Sequence, residues 1–443
     1  MKKILFIAYF FPPIGGGGVQ RSISFSRHLP SEGYLPVIVA GPGQPDRWAR
    51  APYDASLLDK IPSYLKIYRI STPPPTNENH TMNRLCRWLY LPKPFPKWWI
   101  RSAIAIGEKA IVDEDISLIY ATMNPFESAD IASYLSIKYN IPWVADLRDP
   151  WALDEMTVYP TFIHRKLELL KMKNLLPSAS LIIMNTPEST KLLKKTFPLF
   201  NNKKVITITN GFDEINFSDA VDNTGDCSFK IVHSGALHLE LGLKHNNKKW
   251  WYKALKGSRS QVDILTRSHT VLFDALQKWF DRCSDAKKDI KVIFIGKLTE
   301  ADNLLIKKSS IYENVILKGY LPHTENIKIL RTADLLFLPM HNLPPEERSS
   351  IIPGKTYEYM ASGRPILAAV PNGDARDFLS KCGTSFICYP DDIEGMIKII
   401  SMVHNSWKNN IKVTYPDWKY IYQFERKAQV KQLALEFDNI CKI

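Results

Sequence analysis

The sequence predicts an α/β protein with two doubly wound domains that face each other across a cleft. Short apolar segments alternate with segments of helical length, as in parallel sheets that are covered by helices on both faces. This alternation pauses after Ile208 and starts again at Lys230. The chain has 443 residues, which is too long for one ordinary core and indicates two domains.

The first half contains the strands and the first helix that this pattern predicts. A helix is expected over Gln20–Leu29, directly after four glycines. The predicted strands, in chain order, are Ile4–Phe10, Val37–Ala40, Leu65–Ile70, Leu118–Ala121, Trp143–Ala145, Leu181–Met184 and Val205–Ile208.

The second half repeats the plan after a polar linker at Ser218–Ser228. Its predicted strands are Lys230–His233, Val292–Ile295, Val315–Leu317, Leu335–Leu338 and Ile366–Val370, and a helix is expected over 270–280. The apolar spacing from Asp417 to Cys441 predicts one long final helix. The expected domains are therefore 1–215 and 228–412, with a terminal helix in 413–443.

The composition favours anionic partners and a reducing compartment. Lys and Arg total 58 against 45 acidic residues, a net charge of +13, which suits nucleotide phosphates, an anionic membrane surface or nucleic acid. The six cysteines are scattered, and the closest pair, Cys382 and Cys388, has no neighbouring His, so we expect no zinc site.

The N-terminal apolar run is followed by Pro12-Pro13, which favours a strand over a signal peptide. No apolar stretch reaches the roughly 18 residues that a membrane span needs.

Residues 349–365, SSIIPGKTYEYMASGRP, carry the clearest functional pattern. Pro353-Gly354 form a turn before a helix on which Lys355 and Glu358 share one face. Lys355 and the helix N-terminus suit a phosphate, while Glu358 can accept hydrogen bonds from a ribose diol. The alternative is an ordinary capped helix with a solvated lysine and glutamate.

Four glycines, Gly15–Gly18, follow the first strand and open a helix. Such a loop lets the backbone pass close to an anionic ligand at the helix N-terminus. A dinucleotide-binding loop is excluded, because the third glycine of Gly-x-Gly-x-x-Gly would fall on Gln20 or Arg21. No Gly-Lys-Ser/Thr follows, which excludes a P-loop. The alternative is a flexible turn without a ligand.

Two further segments lie at the ends of predicted strands, where open α/β sheets bind ligands. The block Asp146-Leu147-Arg148-Asp149-Pro150-Trp151 follows the strand Trp143–Ala145. Ser234-Gly235 follows the strand that starts at Lys230, and its backbone N–H groups lie at such a strand end. An internal Asp–Arg salt bridge is the alternative for the first block.

In order and spacing, these segments resemble the GT-B glycosyltransferases, specifically the retaining family four that uses nucleotide sugars. The resemblance covers almost the whole chain and includes the loop FPPIGGGGVQR, the Asp-x-Arg-Asp-Pro-Trp block and the Asn210–Asp213 hinge. In that family two glutamates flank seven residues. Here the second is Glu358, whereas Ser350 occupies the first position.

The resemblance implies Rossmann-like domains, a terminal helix that crosses back to the first domain, and roles for individual residues. The implied donor-binding residues are Gly16, Gly17, Gly18, Ser234, Gly235, Arg267, Lys355 and Glu358, and the backbone N–H groups of Ser234 and Gly235 are expected to meet the donor diphosphate. The implied catalytic residues are Asp146, Asp149 and Lys355, and Arg21 and Arg148 are expected on the acceptor side. His323 and Asp334 match positions of the family pattern that lie at the edge of the nucleotide site. We interpret Asp334 as mainly structural. No cofactor or metal is expected besides the nucleotide-diphosphate sugar.

The implied activity is sugar transfer to a glycan or lipid-linked acceptor in bacterial cell-surface polysaccharide assembly, such as capsule or lipopolysaccharide. Two basic, tryptophan-bearing stretches, Arg84–Ile104 and Lys244–Arg259, suit the headgroup region of a membrane. We therefore expect a cytoplasmic protein bound peripherally to the inner face of the membrane, without nucleic acid. A partly buried tryptophan cluster is the alternative for the first stretch.

Two alternative functions remain. One is a sugar-nucleotide epimerase of the same fold, and the other is a non-catalytic protein that binds a sugar nucleotide or nucleic acid.

Overall fold

A computed structural model describes residues 1–44, 52–75, 86, 88–91, 93–219, 228–247, 255, 257 and 261–442. The described residues form two α/β units, each built on one all-parallel sheet. Most of the first unit comes from Met1–Asn210 and Arg426–Ile443, and the second comes from Gly211–Lys253 and Ser260–Glu425.

The first unit contains a seven-stranded sheet in the order β3-β2-β1-β4-β5-β6-β7. Its strands are β1 (Lys2–Ala8), β2 (Tyr34–Ala40), β3 (Lys66–Arg69), β4 (Ile116–Met123), β5 (Trp143–Leu147), β6 (Leu181–Met184) and β7 (Val205–Thr207). Its helices are α1 (Gly17–His28), α2 (Pro94–Glu114), α3 (Ser128–Tyr139), α4 (Phe162–Leu175) and α5 (Pro187–Thr196).

The second unit contains a six-stranded sheet in the order β10-β9-β8-β11-β12-β13. Its strands are β8 (Phe229–Ser234), β9 (Ile290–Ile295), β10 (Val315–Gly319), β11 (Leu335–Pro339), β12 (Ile366–Ala369) and β13 (Ser385–Cys388). Its helices are α6 (Leu239–Asn246), α7 (Thr270–Arg282), α8 (Ser284–Asp289), α9 (Glu300–Lys308), α10 (His323–Arg331), α11 (Lys355–Ser362), α12 (Asp374–Leu379), α13 (Ile393–Lys408) and α14 (Trp418–Ile421). The prediction of two doubly wound parallel sheets is confirmed.

Strand β13, at the edge of the second sheet, is missing from the sequence prediction. Ser385, Phe386 and Ile387 are only partly buried, whereas the four residues of the neighbouring β12 are fully buried. An edge strand is covered on fewer sides than a central one, so its residues need not form a continuous apolar run.

The first basic, tryptophan-bearing stretch contributes to the core of the first unit. Trp99 and Phe95, at the start of α2, are buried among the apolar residues of β1 and β2. The alternative interpretation of a partly buried cluster therefore describes this part of Arg84–Ile104. Most of the second stretch, Lys244–Arg259, lies outside the described residues, as does most of the linker at Ser218–Ser228.

The prediction of one long helix from Asp417 to Cys441 is wrong at its start. After α14, a 3₁₀ turn at Tyr422–Phe424 and an extended Glu425 precede the helix α15 (Arg426–Cys441). Residues 413–425 belong to the second unit, and only α15 belongs to the first. The aromatic residues before Glu425 explain this break, because Phe424 packs in the second unit's core with Tyr357 and Phe378.

Helix α15 returns to the first unit, as predicted. Val430, Leu433 and Phe437 are buried against apolar residues of β1 and β4. The Tyr34 hydroxyl also donates a hydrogen bond of 2.7 Å to Asp438 Oδ1. The helix thus completes one face of the first sheet.

Candidate functional site

The candidate site of the second unit lies where the sheet order reverses, between β8 and β11. Open α/β sheets bind ligands in the crevice at the carboxyl ends of the strands at this position. Ser234-Gly235 ends β8, Met340-His341 follows β11, and α11 precedes β12. The predicted residues Ser234, Gly235, Arg267, Lys355 and Glu358 all belong to this unit.

Gly235 is the point over which the amine of Lys355 lies. Its φ of +98° is strained for residues that carry a Cβ. A Cβ built there would also lie 3.0 Å from Lys355 Nζ. Gly296, at the end of β9, has a φ of +133°, and its Cβ would lie 3.1 Å from the Gly235 carbonyl oxygen. Both glycines are therefore required for the close approach of backbone and lysine, and the sequence prediction missed Gly296.

The backbone N–H groups at this turn are used within the protein, which corrects the role expected for them. The Ser234 N–H donates to the Tyr359 hydroxyl at 2.8 Å, and the Gly235 N–H donates to the Ile295 carbonyl at 2.7 Å. They fix the turn and are not donors to a diphosphate. The positive charge near the turn comes from side chains instead.

Lys355 is the central cation of the site, and it has an unexpected partner in His233. Its Nζ lies 3.1 Å from His233 Nε2, and His233 Nδ1 lies 2.9 Å from the Phe337 carbonyl oxygen. Burial and the nearby charge of Arg267 lower the pKa of Lys355 to about 7, although Glu358 acts in the opposite direction. No carboxylate of the described residues lies within salt-bridge distance of this amine.

Glu358 lies one helical turn beyond Lys355 and is held by a residue of α10. His323 Nε2 and Glu358 Oε1 are 2.8 Å apart, and both side chains are mostly buried. This contact fixes one carboxylate oxygen, and it could not be predicted because 35 residues separate the partners. The predicted pair of Lys355 and Glu358 thus occupies the first turn of α11, with Glu358 oriented by His323.

Arg267 joins the same site through a segment that pairs with the loop after β11. The backbones of Asp263 and Asn342 form an antiparallel bridge, and Thr266 Oγ1 donates to the Met340 carbonyl at 3.1 Å. The Arg267 carbonyl accepts a hydrogen bond of 3.0 Å from the His238 N–H. Arg267 lies close enough to Lys355 for its charge to lower the pKa of that lysine.

His238 is a further buried basic side chain near Arg267 and Lys355 that sequence reasoning missed. Burial, Arg267 and Lys355 together lower the pKa of its imidazole to about 3, with a smaller effect of His341. A histidine is hard to protonate where positive charges already converge. The positive charge at this point therefore comes from Lys355 and Arg267, and the His238 imidazole is neutral.

Ser350 and Asp334 have surroundings that indicate structural roles. Ser350 is fully buried, and the preceding Ser349 pairs through its backbone with Gly373. Asp334 Oδ2 accepts a hydrogen bond of 2.8 Å from the Lys230 N–H at the start of β8. This contact lies at the amino ends of the strands and agrees with the structural interpretation of Asp334.

In the first unit, the glycines of the four-glycine loop differ in backbone conformation and in the space around them. Gly16 has a φ of +98°, whereas a Cβ on Gly17 would meet nothing within 4 Å. A Cβ on Gly18 would lie 2.8 Å from Arg148 Nη1. Gly17 is thus the glycine whose Cα faces open space, and Gly16 and Gly18 are needed for the loop itself.

Arg148 ties this loop to the end of β4, so an acceptor-side role is not supported by its geometry. Its Nε donates to the Met123 carbonyl at 2.8 Å and Nη2 donates to the Asn124 carbonyl at 3.2 Å. Nη1 donates to the Gly18 carbonyl. The guanidinium is buried, and these hydrogen bonds all go to backbone carbonyl oxygens. Arg148 therefore stabilises the local fold.

Asp146 forms an internal salt bridge, as the alternative interpretation of this block expected, but its partner is Arg21 of α1 and lies outside the block. Arg21 Nη2 and Nε lie 2.9 and 3.1 Å from the two oxygens of Asp146, and Tyr120 donates to Oδ2 at 2.5 Å. Arg21 Nη1 also donates to the Thr209 carbonyl at 2.6 Å. Both side chains are at most 3% exposed, so this geometry supports a structural role rather than the expected catalytic and acceptor-side roles. Asp149 is the exposed carboxylate of the block.

One comparison with known proteins matches the part of the chain that contains this site. Residues 266–405, which include Arg267, Lys355 and Glu358, match the family model of "Glycosyl transferases group 1". The prediction that the chain is a glycosyltransferase is confirmed at this level. Comparison with curated proteins found no match in sequence.

Solved structures show the same fold along nearly the whole chain. HepE from Anabaena, solved with UDP and glucose, has a TM-score of 0.60 at 15% identity and covers 99% of this chain and 100% of its own. Sucrose-phosphate synthase from Thermosynechococcus elongatus has a TM-score of 0.65 at 11% identity and covers 99% of each chain. A UDP-GlcNAc 2-epimerase from Methanocaldococcus jannaschii has a TM-score of 0.54 at 10% identity, with 99% and 100% covered. The GT-B fold is thereby confirmed.

Proposed function

We propose that this protein is a retaining glycosyltransferase, similar to family four, that moves a sugar from a nucleoside-diphosphate sugar to a glycan or lipid-linked acceptor. The observation that carries the proposal is the position of the Lys355 amine, which lies over Gly235 where the second sheet reverses its order, beside the neutral His233 and near Arg267. Cationic groups that lower each other's proton affinity are stabilised when an anion binds between them. A diphosphate supplies that anion.

The donor-site residues have distinct proposed roles. Lys355 and Arg267 stabilise the negative charge that develops on the leaving diphosphate, which is the usual way to lower such a barrier without a metal. Glu358, with one oxygen held by His323, accepts hydrogen bonds from the ribose diol. The HepE structure was solved with UDP-glucose, so UDP-sugars are the first donors to test.

Asp149 is proposed as the carboxylate that contacts the acceptor hydroxyl. Asp146 is buried in its ion pair, whereas Asp149 is exposed at the carboxyl end of β5. Acceptor sugars and lipid-linked glycans present hydroxyl groups that a carboxylate can bind or deprotonate. We propose cell-surface polysaccharide assembly as the setting, because the family resemblance points to it.

The test is turnover of a panel of nucleotide sugars by the purified protein, with release of nucleoside diphosphate as the readout. Ligand-induced thermal stabilisation identifies the donor first, since a ligand at 100 times its Kd adds about 2.7 kcal/mol. Activity that persists in EDTA is expected from the metal-independent mechanism. Binding without turnover, with acceptors present, would instead indicate the non-catalytic alternative.

An epimerase is the second candidate, because an epimerase is among the structures with this fold. Incubation with donor alone separates the two functions. An epimerase converts the nucleotide sugar to its epimer without an acceptor, whereas a transferase leaves the intact sugar configuration unchanged. Product analysis by NMR distinguishes these results.

We further propose that the protein binds anionic membranes peripherally through the first unit. No helix among the described residues is long and apolar enough to cross a bilayer. Leu89, Leu91, Phe162 and Ile163, here called the apolar patch, are 48 to 59% exposed. The Tyr90 hydroxyl donates to Glu168 Oε1 at 2.9 Å, which ties the 88–91 segment to α4.

A lysine accompanies the apolar patch. Lys166 lies with its amine 6.0 Å from the centroid of the Phe162 ring. Exposed apolar side chains beside lysines suit the interface of an anionic bilayer.

Ile163→Glu tests the membrane proposal in a vesicle sedimentation assay. The variant should bind vesicles of phosphatidylglycerol and phosphatidylcholine more weakly, because it removes apolar area and adds repulsion. The control is Ile411→Glu, since Ile411 is exposed to a similar degree in the second unit. Equal binding by both variants would contradict the proposed surface.

A further inference from the structure

We infer that His233 is a positioning residue of the donor site: a neutral imidazole that holds the Lys355 amine over Gly235 without cancelling its charge. The inference rests on the proposed function, because it concerns how that site receives a diphosphate. Neither the motif of residues 349–365 nor the family match assigns a role to His233, which lies 122 residues before Lys355.

The hydrogen bonds of His233 determine which of its nitrogens carries the proton. Nδ1 lies 2.9 Å from the Phe337 carbonyl oxygen, and a carbonyl can only accept. Nδ1 therefore carries the hydrogen, which leaves Nε2 of the neutral ring with a lone pair. Nε2 faces Lys355 Nζ at 3.1 Å and accepts a hydrogen bond from it.

The surroundings of His233 keep its imidazole neutral. The side chain is 1% exposed on β8, with the rings of Phe294 and Phe337 at centroid distances of 6.2 and 6.0 Å. Burial lowers the pKa of His233, and the charges of Lys355 and Arg267 and the nearby His269 lower it further. The ring thus has one protonation state and one orientation.

A neutral acceptor has a specific advantage at this position. A carboxylate at the same distance would form an ion pair with Lys355 and offset the field that an anionic ligand experiences. An imidazole fixes the direction of the amine but adds no charge. Two of the three lysine donors remain for ligand oxygens, because the structure gives Nζ no other hydrogen-bond partner among the described residues.

The test compares His233→Gln with His233→Glu. These two side chains have the same shape, and each can place an oxygen near the position of Nε2, but only Glu carries a charge. Binding of UDP, GDP, ADP and dTDP to the wild type is measured first by calorimetry, and the tightest is carried forward. We expect Gln to retain that affinity within a few-fold and Glu to lose about 10- to 100-fold, the scale of a hydrogen bond to a charged group.

Two further measurements keep the result interpretable. His233→Asn retains a donor for Phe337 but has no acceptor at the Nε2 position, so it should bind the nucleotide more weakly than Gln if Glu fails to fold. Unfolding of each unliganded variant is followed by circular dichroism to separate stability from binding. Equal nucleotide affinity for Gln and Glu, or for Gln and Asn, would overturn the positioning role. Absence of binding by the wild type itself would overturn the proposed donor site.

Discussion

Lys355 and Glu358 lie one turn apart on α11, yet their surroundings predict different kinetic defects. Lys355→Ala removes a charge that matters most as the leaving diphosphate forms, so kcat should fall about 10²- to 10³-fold. Glu358→Gln weakens a hydrogen bond that is present in ground and transition states alike, so the donor KM should rise. Steady-state kinetics with the identified donor measures both.

Ser350→Ala is the control for this pair. The Ser350 side chain is fully buried, so the hydroxyl is not exposed to a donor sugar and the variant should keep its donor kinetics. Near-wild-type kinetics in both Lys355→Ala and Glu358→Gln would remove the assignment of the donor site.

The protonation of Lys355 makes nucleotide binding depend on pH. Its pKa of about 7 lies below the usual lysine value, so the amine is charged below pH 7 and progressively neutral above it. A bound diphosphate favours the charged form, and affinity should therefore decrease as pH rises through 7, by up to about tenfold per pH unit. Calorimetric Kd values between pH 6 and 9 test this expectation.

Lys355→Arg is the matched variant for the pH series, because a guanidinium stays charged throughout this range. Its nucleotide affinity should be nearly independent of pH, even if it is weaker at pH 6. A wild-type affinity that does not change from pH 6 to 9 would show that Lys355 keeps its proton in the unliganded site.

At the scale of elements, the glycine loop contains one glycine that the backbone conformation requires, Gly16, and one that faces open space, Gly17. Gly17→Val should fold normally, because its Cβ meets nothing within 4 Å, but it should lose activity if a ligand approaches the loop there. Gly16→Val should instead lower the unfolding temperature, because its φ of +98° is strained for a β-branched residue. Thermal unfolding and donor turnover are measured for both variants. A fully active Gly17→Val protein would place this loop outside the ligand site.

Elements that depend on local sequence could be predicted, and α11 shows why. Pro353-Gly354 precede its first residue, Lys355, and Gly363 ends it with a φ of +68°. The backbone chemistry of these residues acts within a few positions, so the helix bounds follow from the sequence. The break before α15 could not be predicted in this way, because it depends on Phe424 packing with Tyr357 and Phe378.

The site was predicted only in part for the same physical reason. The sequence pattern identified Lys355 and Glu358, but their partners His233 and His323 come from other elements and meet them only in the folded unit. The block at Asp146 shows the converse error, because a polar residue at a strand end can serve either a ligand or an internal ion pair. The guanidinium of Arg21, 125 residues away, decides between these in favour of the ion pair.

At the scale of the whole molecule, one restart of the α/β pattern, at Lys230, was enough to predict two parallel sheets. The strand order was not predicted, because doubly wound sheets can reverse where the first strand meets either the third or the fourth. Both sheets reverse where their first strand meets their fourth, with β1 beside β4 and β8 beside β11. The position of the candidate site in the second unit follows directly from that topology.

The return of α15 to the first unit makes the end of the chain part of that unit's core. Leu433 is fully buried against the first sheet, whereas Leu435 on the same helix is 59% exposed. Leu433→Ala should therefore lower the free energy of unfolding of the first unit by about 2–5 kcal/mol, the usual cost of a core truncation. Leu435→Ala should change it by less than about 0.5 kcal/mol.

Urea unfolding measures this difference if the two units are followed separately, because a two-domain chain need not unfold in one step. Hydrogen exchange resolved by peptide assigns each transition to β1 and β4 or to β8 and β11. The Leu433→Ala transition of the first unit should move to lower urea, and that of the second unit should move less. Equal stability of the Leu433→Ala and Leu435→Ala proteins would mean that α15 does not contribute to the core of the first unit in solution.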